Sequence, residues 1–219
     1  MTLTTLDLQA RCAALGVDPG PIDGIDGPRT RAAIKAAMAA RGVGRPEQLI
    51  HTSGLHRVIL HWTAGAYGEI ALERRHYHLL VNSEGRVTMG DLAPEANADC
   101  RDGQYAAHTR ALNTGSIGVA VDAMGGARER PFYPGPYPVT AAQLRGMVRA
   151  VADLCLTYDI PVSRFSVLTH AEVQPTLGVW QRAKWDITWL PWLEEPEDPV
   201  TVGGMIREAI RREMQAEAA

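Results

Sequence analysis

Near residue 55 the chain changes its periodicity, and that change limits the folds open to it more than any other feature. Before it, helical stripes alternate with glycine and proline; after it come short runs rich in β-branched and apolar residues, separated by helical stretches. Arg57–Trp62, Tyr77–Asn82, Ser116–Asp122 and Phe165–Thr169 read as strands, and Ser83-Glu84-Gly85 as a turn from the second of them into Arg86–Met89. From Thr140 the pattern is helical. Thr140 and Gln143 are spaced as a capping box, and Leu144, Val148, Val151, Cys155 and Tyr158 mark a buried stripe. Pro191, Pro196 and Pro199 then break the chain before an amphipathic helix over Val202–Ala216. Strands interspersed with helices predict an α/β fold, a mixed central β-sheet flanked by helices.

Upstream, residues 5–16 read as a helix with Leu8, Cys12 and Leu15 on one face and Gly16 as its stop. Pro19, Gly20, Pro21, Gly24 and Gly27 make a tight loop, and Pro28 opens a second helix running to about Arg41 before Gly42. A helix, loop, helix unit of this size buries little alone, so it is expected to lean on a third element, as a three-helix-type module, or on the larger domain. The expected organisation is therefore a module over residues 1–43, a linker over 44–54, the main domain over 55–200 and a terminal helix over 201–219. Whether that last helix docks on its own domain or on a partner is open at this stage.

Composition narrows the function. A net charge of −3 without a concentrated basic face argues against nucleic acid, and no apolar run is long enough to cross a bilayer. Met1 to Gly16 lacks the charged and apolar regions of a secretory signal, so synthesis in the cytoplasm is expected. Cys12, Cys100 and Cys155 are odd in number and widely spaced, which suits reduced thiols, with Cys12 and Cys155 in core patterns.

Hydrolytic zinc needs three protein ligands and one open position for water. Two of the seven histidines stand at the ends of β-runs, His61 after Val58-Ile59-Leu60 and His170 after Val167-Leu168-Thr169, where a rigid strand can aim a side chain into a cleft. A hydrogen-bonded surface histidine is the competing reading of each. The residues around them decide between the two. Val58-Ile59-Leu60-His61-Trp62-Thr63-Ala64-Gly65 resembles the opening signature of the N-acetylmuramoyl-L-alanine amidase type 2 family, which includes phage lysozymes and peptidoglycan recognition proteins. Tyr77-His78-Leu79-Leu80-Val81, then His108 with Asn113 and Ser116-Ile117-Gly118-Val119, then His170-Ala171-Glu172 and Lys184-Trp185-Asp186 resemble its later segments, in order, across roughly Leu55 to Trp192.

The resemblance implies zinc bound by His61, His170 and Asp186, with Tyr77 and Lys184 beside it as catalytic donors to the oxygen that gains charge when an amide is attacked. It implies a substrate-binding role for His108 and Asn113, and points to Trp180 and Arg182 on the long segment Thr176–Ala183, for which a plain surface excursion is the alternative. Two departures matter. Ala120 occupies the position at which many relatives carry a glutamate base, leaving Asp122, Tyr77 and Glu172 as candidates, with a site built from tyrosine and lysine fitting best. Strand alternation would put His76 and His78 on the face opposite Tyr77, and His51 and His56, in or near the linker, are expected to be solvated.

The N-terminal unit, from Leu8-Gln9 through Ile22-Asp23-Gly24-Ile25-Asp26-Gly27 to Thr30-Arg31-Ala32-Ala33-Ile34, resembles the peptidoglycan-binding domain 1 family. Asp23 and Asp26 read first as turn chemistry and second as ligand contacts. Together the resemblances imply a monomeric zinc amidase acting on peptidoglycan, with no nucleic-acid partner and no membrane insertion. A phage-type endolysin reaching the wall through a holin-type pore, or an effector passed through a secretion system, fits the missing signal. A non-catalytic recognition protein and a zinc peptidase cutting within the stem peptide are the rival readings.

Overall fold

The computed structural model describes residues 3–217, so the ends of the expected 1–43 module and 201–219 helix fall outside the described residues. Two helices come first, α1 (Thr5–Ala14) and α2 (Pro28–Arg41), followed by a 3-10 turn over Pro46–Leu49. Thr4 and Asp7 close a capping box on α1, and Pro28 starts α2 where its missing N–H has no intrahelical partner to lose. The glycine-rich loop between them is pinned from inside by Gln9. Its Oε1 accepts from the amides of Asp23 and Gly24, and its Nε2 donates to Asp23 Oδ1, the Ile25 carbonyl and Thr30 Oγ1. Asp23 also accepts from Ile25 N, the turn chemistry expected of it, and Asp26 pairs with Arg31.

The rest of the chain is built on β1 (Arg57–Trp62), α3 (Ala71–His76), β2 (Leu79–Val81), β3 (Val87–Met89), β4 (Ser116–Val121), α4 (Ala141–Thr157), β5 (Val167–Thr169), α5 (His170–Leu177) and α6 (Pro199–Glu217). The five strands form one mixed sheet in the order β3-β2-β4-β1-β5, with β3 antiparallel at one edge and the other four mutually parallel. β1 and β4 are buried along their whole length, as central parallel strands covered on both faces must be. One face, with Val58, Leu60, Ile117, Val119 and Val121, packs under α4 and α6. The opposite face, with Ile59 and Leu168, meets Ala10 of α1 and Val173 and Leu177 of α5.

α4 carries the expected Thr140–Gln143 box, and its stripe holds, with Leu144, Val151, Cys155 and Tyr158 buried and Val148 half-buried. The expected strand over Tyr77–Asn82 is shorter than its pattern suggested. Ala71–His76 coil into one short helix instead, and Tyr77 is its C-terminal cap, donating its amide to the Glu73 carbonyl. The segment expected as a linker buries Leu49 and Ile50, and Arg11 donates to the Leu49 carbonyl. His56, expected to be solvated, is 6% exposed because Asp7 of α1 takes its Nε2 at 3.2 Å. The terminal helix lies on α4 and α5 of its own chain, where Arg207 forms a buried ion pair with Glu172. No helix among the described residues is long and apolar enough to cross a membrane.

Candidate metal centre

Neighbouring parallel strands end on the same side of a sheet, and sites form outside those carboxyl ends. β1 and β5 are such neighbours, paired up to Leu60 and Thr169. His61 therefore projects one residue past the last β5 pair, and His170 is the first residue of α5, where Thr169 caps the helix together with Glu172. Asp186 arrives from the following loop, its carbonyl accepting from Ala171 N, an amide at the start of α5 that has no partner inside the helix. Sequence-distant groups thus meet: Asp186 Oδ2 lies 3.0 Å from His61 Nδ1 and 3.1 Å from His170 Nδ1. All three side chains are buried, and their ligand atoms are close enough to share one metal ion.

The partners of each ring nitrogen show how they are held. His108 Nε2 faces the Ser116 carbonyl at 3.2 Å, an acceptor only, so a neutral His108 carries its proton there and its Nδ1 is an acceptor. Burial, then the charges of His61 and His78, hold His108 well below the ordinary histidine range, so it is neutral. Two groups face that Nδ1, Thr109 Oγ1 at 2.8 Å and His61 Nε2 at 3.2 Å. Burial also lowers His61 to about 4, against the opposing pull of Asp186, so its ring is neutral at neutral pH with Nδ1 facing the Asp186 carboxylate. Burial would raise Asp186, but the charge of His170 and the hydrogen bonds that His170 and His61 offer it bring it down to about 2. Protons on the two Nδ1 atoms, or one cation shared by all three groups, would satisfy that carboxylate. The donor set therefore fits a metal, with each ligating imidazole held by a hydrogen bond on its far nitrogen.

His170 and Asp186 line an open cleft of about 630 Å³ with Tyr77, His108, Arg110, Asn113, Arg182 and Lys184 among others, and His61 is fully buried. The Tyr77 ring is 5.1 Å from that of His61. Burial, then the charges of Asp186 and Glu73, push its phenol up, which keeps the hydroxyl protonated and a donor. Lys184 is exposed on the cleft wall. His108 lines the cleft, yet its ring is committed to His61 and Ser116; Gly118 makes this possible, since a Cβ there would lie 2.6 Å from the imidazole. Asn113 is a loop clamp, its Oδ1 accepting from the amides of His108 and Thr109. Trp180 stands outside the cleft lining at 56% exposure, between Arg110 and Arg182, whose guanidinium carbons are 4.6 and 5.8 Å from its ring.

Several expectations need correction. Asp122 is no base for this cleft: it is wholly buried, accepting from Gly68 N at 2.5 Å and Gln143 Nε2 at 2.7 Å. Glu172 is likewise taken, by Thr169 N and Arg207, on the side away from the cleft. Asp186 is the one carboxylate lining the cleft among the described residues. His78 does not lie away from the site. It is buried 5.6 Å from the His108 ring and accepts from Gly118 N, because parity counted through Tyr77 starts from a residue that is not in the strand. Sequence reading missed Gln181 and Thr109. Gln181 Oε1 lies 3.0 Å from His170 Nε2, and Thr109 Oγ1 2.8 Å from His108 Nδ1.

Fold and site define a class: a mixed α/β protein with a buried two-histidine, one-carboxylate centre at the carboxyl edge of its sheet. The sequence model of the N-acetylmuramoyl-L-alanine amidase family matches residues 52–187, more than half of the 219-residue chain, and the chain belongs to that family. The helices α1 and α2 and the terminal α6 lie outside the matched span. No protein of curated function matches the chain. Among solved structures it is similar to the N-acetylmuramoyl-L-alanine amidase LysC from Clostridium intestinale URNW, at 15% identity and a TM-score of 0.38 over 57% of this chain and 76% of that one. It is also similar to the Ph2119 endolysin from a Thermus scotoductus bacteriophage (19%, TM-score 0.40, 73% and 87% covered) and to Drosophila peptidoglycan recognition protein SD (17%, 0.40, 68% and 88%).

Proposed function

We propose that this chain is a zinc-dependent hydrolase of the amide joining N-acetylmuramic acid to L-alanine in peptidoglycan, working as an endolysin-type wall enzyme. The observation that carries the reading is the convergence of two buried imidazoles on one carboxylate oxygen, His61 Nδ1 and His170 Nδ1 lying 3.0 and 3.1 Å from Asp186 Oδ2. Zinc suits the spacing: bonds of about 2.0–2.2 Å set tetrahedral ligand atoms roughly 3.4 Å apart, near the separations between Asp186 and the two imidazoles. Bound there, zinc would supply an activated water at neutral pH and polarise the scissile carbonyl.

The chain's own residues do the rest. His61, His170 and Asp186 hold the ion, and the open cleft leaves one side for substrate. Tyr77 and Lys184 serve as donors to the carbonyl oxygen as it gains charge, an arrangement whose loss typically costs about 3–4 kcal/mol per donor. With Ala120 opposite His61 in the sheet and Asp122 and Glu172 engaged elsewhere, the site matches the tyrosine and lysine type. Arg110, Arg182 and Trp180 at the rim suit a substrate with carboxylates and a sugar ring, and α1 and α2 act as a wall-contacting unit.

Elemental analysis paired with digestion of purified peptidoglycan tests the proposal. About one zinc per chain is expected, with lysis lost on chelation and restored by zinc. Mass spectrometry of the products should show glycan with a free lactyl group and intact stem peptides. Internally cut peptides would make the chain a peptidase, and tight wall binding without product would make it a recognition protein.

A further inference from the structure

Gln181 is 3% exposed within a segment whose sequence leaves a substrate-side loop and a surface excursion both open. The orientation of its carboxamide is fixed by its neighbours. Nε2 sits 3.0 Å from the Arg110 carbonyl and 3.3 Å from the Val179 carbonyl, so the nitrogen must face them and Oε1 must face His170 Nε2. An amide oxygen accepts only, which places the His170 proton on Nε2 and leaves Nδ1, in the neutral ring, free to bind a metal. The same residue anchors the loop, its N–H donating to Gln174 Oε1 and its carbonyl accepting from Lys184 N. Between those anchors Arg182 and Ala183 adopt left-handed backbone, at φ 54° and 53°, conformations that a loop keeps only when its ends are held.

We infer that Gln181 is a positioning residue for the metal centre: it selects the metal-binding tautomer of His170, and through it metal occupancy and the order of the loop from Gly178 to Lys184 are coupled. The inference rests on the zinc reading above. Coupling of this kind is reciprocal, so if an ordered loop favours zinc, zinc must favour an ordered loop. Its functional meaning is direct, since the loop carries Arg182 and Lys184 to the cleft wall. A chain without metal would lack an ordered cleft wall as well as an activated water.

The test uses the full chain and zinc alone, with dissociation constants from competition against a chromophoric chelator. Trypsin cleavage after Arg182 and Lys184, both exposed, is followed by mass spectrometry with and without zinc. Zinc should slow both cuts in the wild type. Gln181→Met, which removes the acceptor at similar volume, should weaken zinc by about 10- to 100-fold and leave the loop open to trypsin even at saturating zinc. Gln181→Glu restores an acceptor for His170 but not the donors to Arg110 and Val179. It should recover most of the lost affinity while the loop stays sensitive. Circular dichroism on each metal-free variant restricts the comparison to folded protein. Equal zinc affinity in the wild type and Gln181→Met would overturn the inference, as would equal weakening in Met and Glu variants or wild-type cleavage indifferent to zinc. A wild type that takes up no zinc would instead remove the metalloenzyme reading, and this inference with it.

Discussion

The two ends of β1 carry two buried polar clusters that look alike in composition and differ in what they need. At its start, Arg57 donates to Asp7 Oδ1 at 2.7 Å and to Ser116 Oγ at 2.8 Å, while His56 shares the same carboxylate oxygen. Asp7's other oxygen takes the Thr4 hydroxyl. Near its other end, His61 and His170 face Asp186 through Nδ1, while their far nitrogens face His108 and Gln181. The first cluster balances its charge with its own residues, since a guanidinium is always protonated. The second has no guanidinium, and its two imidazoles present ligand atoms to one carboxylate oxygen. Burial does not separate the two clusters; the permanently charged guanidinium beside Asp7 does.

The largest effect that could break this contrast is at the second cluster. His170→Ala should take bound zinc from about one per chain to none and lysis to background while leaving a folded protein, measured by elemental analysis, turbidity and circular dichroism. At the first cluster the loss should appear in stability instead. Asp7→Ala strands Arg57 as an uncompensated buried charge and should cost about 3–5 kcal/mol in denaturant unfolding, with zinc stoichiometry unchanged. If that variant lost metal but not stability, the assignment of roles would be reversed. Lys184→Ala should keep the metal and reduce turnover by roughly 100- to 1000-fold, the scale of one lost transition-state donor, in a single-turnover assay on muropeptides.

A smaller effect sharpens the comparison through pH. Burial alone would raise Asp7, but the hydrogen bond from His56 and the charge of Arg57 outweigh it and hold the carboxyl well below the ordinary range. A depressed carboxyl stabilises the fold fully above its unfolded value of about 3.9, and the contribution fades as pH falls from there toward the folded value. The stability gap between wild type and Asp7→Asn should therefore be flat from about pH 8 to 5 and shrink below about pH 4. A gap that stayed constant down to about pH 2 would show that Asp7 is not the charged partner of this cluster.

What could be read from sequence follows the same division. Strand ends singled out His61 and His170, because periodicity reports where regular elements stop, but the resemblance to the amidase family was needed to read them as ligands and to add Asp186. The α4 stripe and its cap were legible for the same reason. Gln181 and Thr109 were not, since their partners are main-chain carbonyls and ring nitrogens brought near by irregular loops, which leave no periodic trace. α3 is too short to show a helical stripe, and missing it shifted the parity that placed His78. His56 and Glu172 were misjudged because the groups that bury them, Asp7 and Arg207, lie on helices 49 and 35 residues away in the chain.

The buried pair between Asp7 and Arg57 has a consequence for how such a molecule would travel over a wall. A binding unit on a slack tether raises local concentration and lets its partner sample many bonds. Here α1 is riveted to the strand that presents His61, so whatever surface the first two helices rest against stands at one distance and one angle from the cleft. Under the proposed function such a protein would work as a gauge, reaching only bonds that lie at its own span from that surface.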